Sequence, residues 1–154
     1  MNYRLLILVL GTFIIGTDDF AIAGLLPSIA NNMHVTIAAS GQLVTAFAIA
    51  YAIGAPVLGT LTFNIPVKTL LVLSMLVFTI ANGLSAIVTS FELLFVTRVI
   101  AAVAAAVFTP LAMTASTSLV PETMRGKALS FVISGITIGL ILGAPIGTWI
   151  GNSI

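Results

Sequence analysis

The sequence predicts an all-α membrane protein with about five transmembrane helices, on three observations. Of the 154 residues, 60% are hydrophobic and only 6% are charged. A soluble domain carries about 25% charged residues, so this chain cannot build a solvated surface. The apolar residues fall in continuous runs of roughly the 20 residues that a helix needs to cross a bilayer. The runs also lack the alternating polarity of barrel strands, which are about ten residues long.

The same composition excludes other classes. The net charge is +1, with no basic tract, so nothing points to nucleic acid. The chain has no cysteine, hence no disulfide, thiol chemistry or Cys-based metal site. Its single histidine, His34, makes no metal site. No nucleophile–base pair, ligand cluster or phosphate loop is readable, so neither an enzyme nor a cofactor is expected. Glu92 and Glu122 read most simply as helix-end residues at the interface.

Each span can be justified in order. The first covers residues 5–26, with its helix continuing past Pro27. The second covers 40–61 and contains Gly54 and Pro56; the third covers 67–89. The fourth covers 93–118, with a kink expected at Pro110, and the fifth covers 128–150. A secretory signal competes for the first span, since Arg4, the apolar run to Gly16 and Ala21-Ile22-Ala23 mimic its three regions. Asp18 and Asp19 interrupt the approach to any cleavage site and further spans follow, so a retained helix is expected. Short connections at 31–34, 64–66, 90–92 and 121–127 imply antiparallel neighbours in one bundle over residues 1–154. Arg4, Lys68, Arg125 and Lys127 all fall on the side of the N-terminus, while the opposite loops carry only His34 and Glu92. The positive-inside rule then places the N-terminus in the cytoplasm of a multi-pass protein of the inner (plasma) membrane. Five spans would leave Ile154 outside.

The candidate site starts from two adjacent acids inside the first span, Asp18 and Asp19. A carboxylate at mid-bilayer costs about 2.5–3.5 kcal/mol, and each Leu or Ile returns about 0.3–0.6. Two acids in one span therefore imply partners or water, and by default a functional site. At 1.5 Å per residue they lie roughly 20 Å beyond Arg4, in the outer half of a core about 30 Å thick. Arg98, the one basic residue well inside a span, lies near the outer end of the fourth, at similar depth. An ion pair between the first and fourth helices is the cheapest way to keep these groups in the membrane. Adjacent helical residues point about 100° apart, so only one acid faces Arg98 well. Thr12, Gly16, Asp19 and Ala23 line up as a small, polar stripe suited to the bundle interior. Asp18 shares its face with Ile14, Ile15, Ile22 and Leu25. Asp19 is thus the expected principal acid, and the two acids titrate as a coupled pair. A proton-coupled carrier needs such a group; a static ion pair tying two helices is the plainer alternative.

The fifth span carries the sharpest pattern. Gly135, Gly139, Gly143, Gly147 and Gly151 recur every fourth residue, with Pro145 inserted. Small residues at this spacing form a ridge that another backbone can approach closely. Phe20, Phe47, Tyr51 and Met113 are candidate pocket residues, although aromatic and Met side chains in spans more often fill space.

These motifs resemble the N-terminal part of a major facilitator superfamily transporter, of the drug:proton antiporter type that includes arabinose- and purine-efflux permeases. Gly16-Thr-Asp-Asp-Phe20 with the Gly24 to Ala30 segment is similar to that subgroup's first-helix signature, with Asp19 at the acidic position. Ser40 to Tyr51 and Gly54-Ala-Pro56 resemble its second helix, Arg98 falls at the fourth-helix arginine, and Gly139 to Gly147 with Pro145 resembles its fifth-helix antiporter motif. The family's loop between helices two and three reads Gly-x-x-x-Asp-Arg-x-Gly-Arg-Lys, of which only Gly59 and Lys68 survive here. Ala101 and Ala102 stand where Gln and Gly are common.

The resemblance implies an incomplete N-terminal six-helix half of a major facilitator fold. It also implies a segment of a proton-coupled secondary transporter that exports a small molecule, with the bilayer, protons, a substrate and a missing C-terminal half (or another membrane chain) as partners. Asp19, Asp18 and Arg98 become its coupling residues. A truncated, non-transporting membrane protein, either a remnant or a subunit that binds other helices through the glycine ridge, is the alternative.

Overall fold

The computed structural model describes residues 3–151. Among them five helices are long and apolar enough to cross a membrane, and there is no strand. They are α1 (Tyr3–Asn32), α2 (Ile37–Leu61), α3 (Val67–Ser85), α4 (Phe91–Ser118) and α5 (Arg125–Gly151), with a 3-10 turn (Glu122–Met124) ahead of α5. The protein is an all-α, multi-pass membrane protein. The expected position of Ile154 falls outside the described residues.

Helix ends follow hydrogen bonding rather than hydropathy. Helix α1 continues through Pro27 to Asn32. There Val35 N–H reaches the Ala30 carbonyl at 3.0 Å and His34 N–H the Asn31 carbonyl at 3.4 Å. This is the Schellman pattern, and His34 takes its left-handed position with φ of 54°. Helix α2 starts at Ile37, three residues before the expected Ser40, because Thr36 Oγ1 accepts from Ala39 N–H at 3.1 Å. Helix α3 ends at Ser85, not at Thr89, although residues 86–88 are still apolar. Ser90 instead caps the next helix, accepting from Leu93 N–H at 3.3 Å, so α4 starts at Phe91. Pro27, Pro56, Pro110 and Pro145 all lie inside helices and on exposed faces, and α4 runs unbroken through Pro110.

The chain forms two compact units, one through Leu25 and from Thr109 onward, the other Leu26–Phe108. In the first, α5 turns Ala128, Val132, Gly135, Gly139, Gly143 and Gly147 inward. The glycines lie directly on the α1 backbone. A methyl group at Gly135 would fall 2.6 Å from the Val9 carbonyl oxygen, and at Gly143 2.6 Å from that of Thr17. At Gly139 it would meet the Phe13 carbonyl, and at Gly147 that of Ala21. The contact is reciprocal, for Gly16 of α1 would meet the Ile136 carbonyl at 2.7 Å. Thr12, fully buried, donates across the seam to the Val132 carbonyl at 3.0 Å. Lipid tails are as apolar as Leu, so helices gain from association through close packing and hydrogen bonds, and small residues permit both.

In the second unit α2 buries Ser40, Leu43, Phe47 and Gly54, and α3 buries Leu70, Ser74, Phe78 and Ala81, one stripe each. Their large residues elsewhere, such as Ile53 and Ile80, are exposed, as suits a lipid-facing surface. The run Ala101 to Ala106 of α4 is almost wholly buried, and Ala106 lies 3.2 Å from where a Gly54 side chain would begin.

Two predictions follow from these contacts. Gly139→Ala should lower the melting temperature in detergent by a destabilisation of about 1–3 kcal/mol, as overpacking does, and Gly143→Leu should remove folded protein from the membrane. Gly83→Ala, where the added methyl meets open space, should instead be neutral or stabilise by up to about 1 kcal/mol. Equal effects at positions 139 and 83 would refute the seam. Separately, His34→Gly relieves the left-handed strain and should stabilise by on the order of 1 kcal/mol, measured by the same melts.

Candidate functional site

Arg98 is 1% exposed, in a helix whose other side chains are mostly apolar. The Ser90 cap fixes where α4 begins and so sets the depth of Arg98 two turns later. Three helices of the second unit meet around it. From α2, the Phe47 ring lies under the guanidinium, 4.7 Å from its carbon to the ring centroid. From α3, Asn82 Oδ1 accepts from Arg98 NH1 at 3.4 Å, a long bond. Asn82 is itself held, since its Nδ2 donates to the Phe78 carbonyl at 3.1 Å, which turns its oxygen toward the arginine. Phe47 is backed by Tyr51, with rings 6.5 Å apart and 17° from parallel. One step along α4, Ser85 Oγ donates to Thr97 Oγ1 at 2.7 Å, and Thr97 donates to the Leu94 carbonyl at 2.8 Å.

Magnitudes rank these contacts. A desolvated cation over a ring gains about 2 kcal/mol. A side-chain hydrogen bond between membrane helices averages about 0.6 kcal/mol. Phe47 is therefore the stronger of the two seats and Asn82 the more directional. Both are uncharged.

Asp18 and Asp19 are half-buried on α1. The α1 residues nearest the α5 glycines are Val9, Thr12, Phe13, Gly16, Thr17, Phe20 and Ala21, and Gly24 lies against Ala144 and Thr148 of α5. The expected interior stripe divides here. Thr12 and Gly16 are buried in the seam, Asp19 is half-buried, and Ala23 is exposed.

The remaining expected positions separate. Gly135, Gly139, Gly143 and Gly147 lie in the seam, Gly151 is the half-buried last residue of α5, and Pro145 faces outward. Gly59 and Lys68 are exposed, at the end of α2 and in the first turn of α3. Phe20 sits over Gly143 with its ring 42% exposed, and Met113 is half-buried. An open apolar groove between α3 and α4 is lined by Leu70, Leu73, Val77, Val99, Val103 and Val107, none of them among these candidates. No group of three or more His, Cys, Asp or Glu among the described residues is placed to hold a metal. Asn82, Ser85 and Thr97 were not expected. A carboxamide interrupting an apolar run was the readable signal for Asn82.

Comparison with known proteins agrees with this architecture. The family model for the Major Facilitator Superfamily matches residues 8–154. The chain is 37% identical over 155 residues to a chloramphenicol resistance protein of Streptomyces lividans, covering 98% of this chain and 40% of that protein. It is 35% identical over 154 residues to the inner membrane transport protein YdhP of Escherichia coli, covering 100% of this chain and 40% of that one. It is 37% identical over 148 residues to the uncharacterized MFS-type transporter YtbD of Bacillus subtilis, covering 96% and 37%. The chain spans about two fifths of the length of these relatives. The names of the latter two are those of transporters, not enzymes. With a family match over nearly all of its length, on a bundle of membrane-spanning helices, the chain belongs to the Major Facilitator Superfamily.

Proposed function

We propose that this chain is a segment of a proton-coupled secondary transporter that exports a small molecule across the cytoplasmic membrane, with its N-terminus on the cytoplasmic side. The observation that carries the reading is Arg98, an arginine 1% exposed in a membrane span, over the Phe47 ring and bonded to Asn82. Burying a charge inside a span is costly, up to about 2.5–3.5 kcal/mol at the helix centre. Two helices need no charge to associate, as the glycine seam demonstrates, so a fixed cation kept at this cost points to use in transport. Asp19 is its counterpart as the group that binds and releases the proton, with Asp18 as its coupled neighbour.

Export, and the drug:proton antiporter type, are supported by the resemblance of the first and fifth helices and by the resistance protein among the relatives. The inner-membrane name of another relative supports the location. The exposed faces of α2, α3 and α5 fit the bilayer, and the rest of a longer transporter, or another membrane chain, supplies what completes the substrate path. The alternative of a helix-binding subunit relied on the glycine ridge. Here α1 covers that ridge, which leaves it no open seat for another chain.

The test uses everted membrane vesicles containing the chain in its full natural context. An imposed proton gradient should drive accumulation of chloramphenicol or another small amphipathic drug, and collapse of the gradient should abolish it. Asp19→Asn and Arg98→Leu should each abolish the gradient-driven component, while Asp18→Asn should impair it less. Gradient-independent movement, or full activity of Asp19→Asn, would refute the reading.

A further inference from the structure

We infer that Phe47 and Asn82 are positioning residues for Arg98, forming a neutral seat that holds the guanidinium while the proton-binding acid is protonated. The inference rests on the coupling role proposed for Arg98. It starts from the chemistry of the seat. A planar guanidinium can stack on an aromatic face and still donate in its own plane. Phe47 supplies the face at 4.7 Å and Asn82 the in-plane acceptor at 3.4 Å. Both supports are locked. Tyr51 stacks behind Phe47, which is 4% exposed, and the Phe78 carbonyl ties down the Asn82 amide. The Ser85–Thr97 hydrogen bond fixes α3 against α4 beside them. Two features separate this from ordinary core filling. A Leu at position 47 would pack as well but offer no face to a cation. A carboxylate at position 82 would satisfy the arginine better, yet the residue there is a carboxamide.

That neutrality is what a coupling site requires. A permanent acid at position 47 or 82 would hold the cation in one state whatever the proton does. The other ionisable groups on these elements are Tyr51 behind Phe47, Lys68 at the opposite end of α3 and Glu92 in the first turn of α4. The acids that exchange the proton, Asp18 and Asp19, are carried by α1.

Three substitutions in the full-length protein test the seat. Asn82→Asp should keep its abundance and melting temperature at or above the parent value, yet lose gradient-driven transport at least about tenfold and shift its pH profile. Phe47→Leu should lose transport about tenfold and Phe47→Tyr should retain it. Wild-type transport with an unchanged pH profile in Asn82→Asp, or equal activity of the Leu and Tyr variants, would overturn the inference. A double-mutant cycle on melting temperature, Phe47→Leu with Arg98→Met, gives a readout that does not need transport. Non-additive shifts are expected, and additive shifts would refute the contact. If the parent protein transports nothing while the cycle is non-additive, the coupling reading falls and the seat stands as a structural contact only.

Discussion

A guanidinium inside a membrane cannot be left to water, and unit 2 is arranged around that constraint. Its three-carbon stem can pack among Leu and Ala, but its donors and its charge need addresses. Three helices each supply one component: α4 the arginine, α2 an aromatic face and α3 an amide oxygen. The alanine run that follows Arg98 on α4 brings the helices close enough for those components to meet, with Gly54 of α2 against Ala106. Large side chains at 101–106 would separate the helices and leave the cation short of its ring. Small residues near a charge are therefore part of how the charge is housed.

The α1–α5 seam answers a different problem with a different chemistry. It contains no charge. Its polar contribution is one hydroxyl, Thr12, shared between a carbonyl on its own helix and one on α5. Its stability comes from atoms in contact along the helices, made possible because neither backbone is shielded at Gly16, Gly135, Gly139, Gly143 or Gly147. Dispersion at such a contact is small per atom pair but sums over many. The two kinds of contact thus differ in chemistry, close backbone packing in one unit and placement of a charge in the other.

How much of this the sequence showed depends on the kind of signal. The five helices were legible because each must be apolar for about the thickness of the bilayer, which is a length constraint. Their ends were less so: α3 stops at Ser85 inside an apolar stretch, where the Ile87 and Val88 N–H groups both turn back to the Leu84 carbonyl. Arg98 and the two acids stood out because charge in a span is rare. The glycine ridge was visible at Gly135 to Gly147, but its partner was not, since Gly16 and Gly24 of α1 are spaced by eight and give only half a pattern. Of the expected interior stripe, Thr12 and Gly16 are buried, Asp19 is half-buried and Ala23 is exposed. Asn82 was missed, although a lone amide in an apolar run is a signal. Phe47 was named as a pocket candidate, but not as the face under a cation, because an aromatic in an apolar span has the same signature whether it fills space or faces a charge.

The distinction between a seat and a partner is what finally bears on mechanism. Suppose the only stable environment for Arg98 were a carboxylate. Protonating that acid would then leave a bare cation in the membrane, a state several kcal/mol higher by the measure of buried ion pairs with one partner removed. Such a site would bind its proton only at the cost of the whole fold. A neutral seat changes the comparison. Cation–ring attraction of about 2 kcal/mol together with an amide acceptor lowers the bare-cation state toward the paired one. When two states differ by only a few kcal/mol, differential binding of a ligand, here a proton or a substrate, is enough to shift the population between them. In the proposed cycle, Phe47 and Asn82 therefore make the loss of the ion pair tolerable, which converts a structural bond into a reversible one.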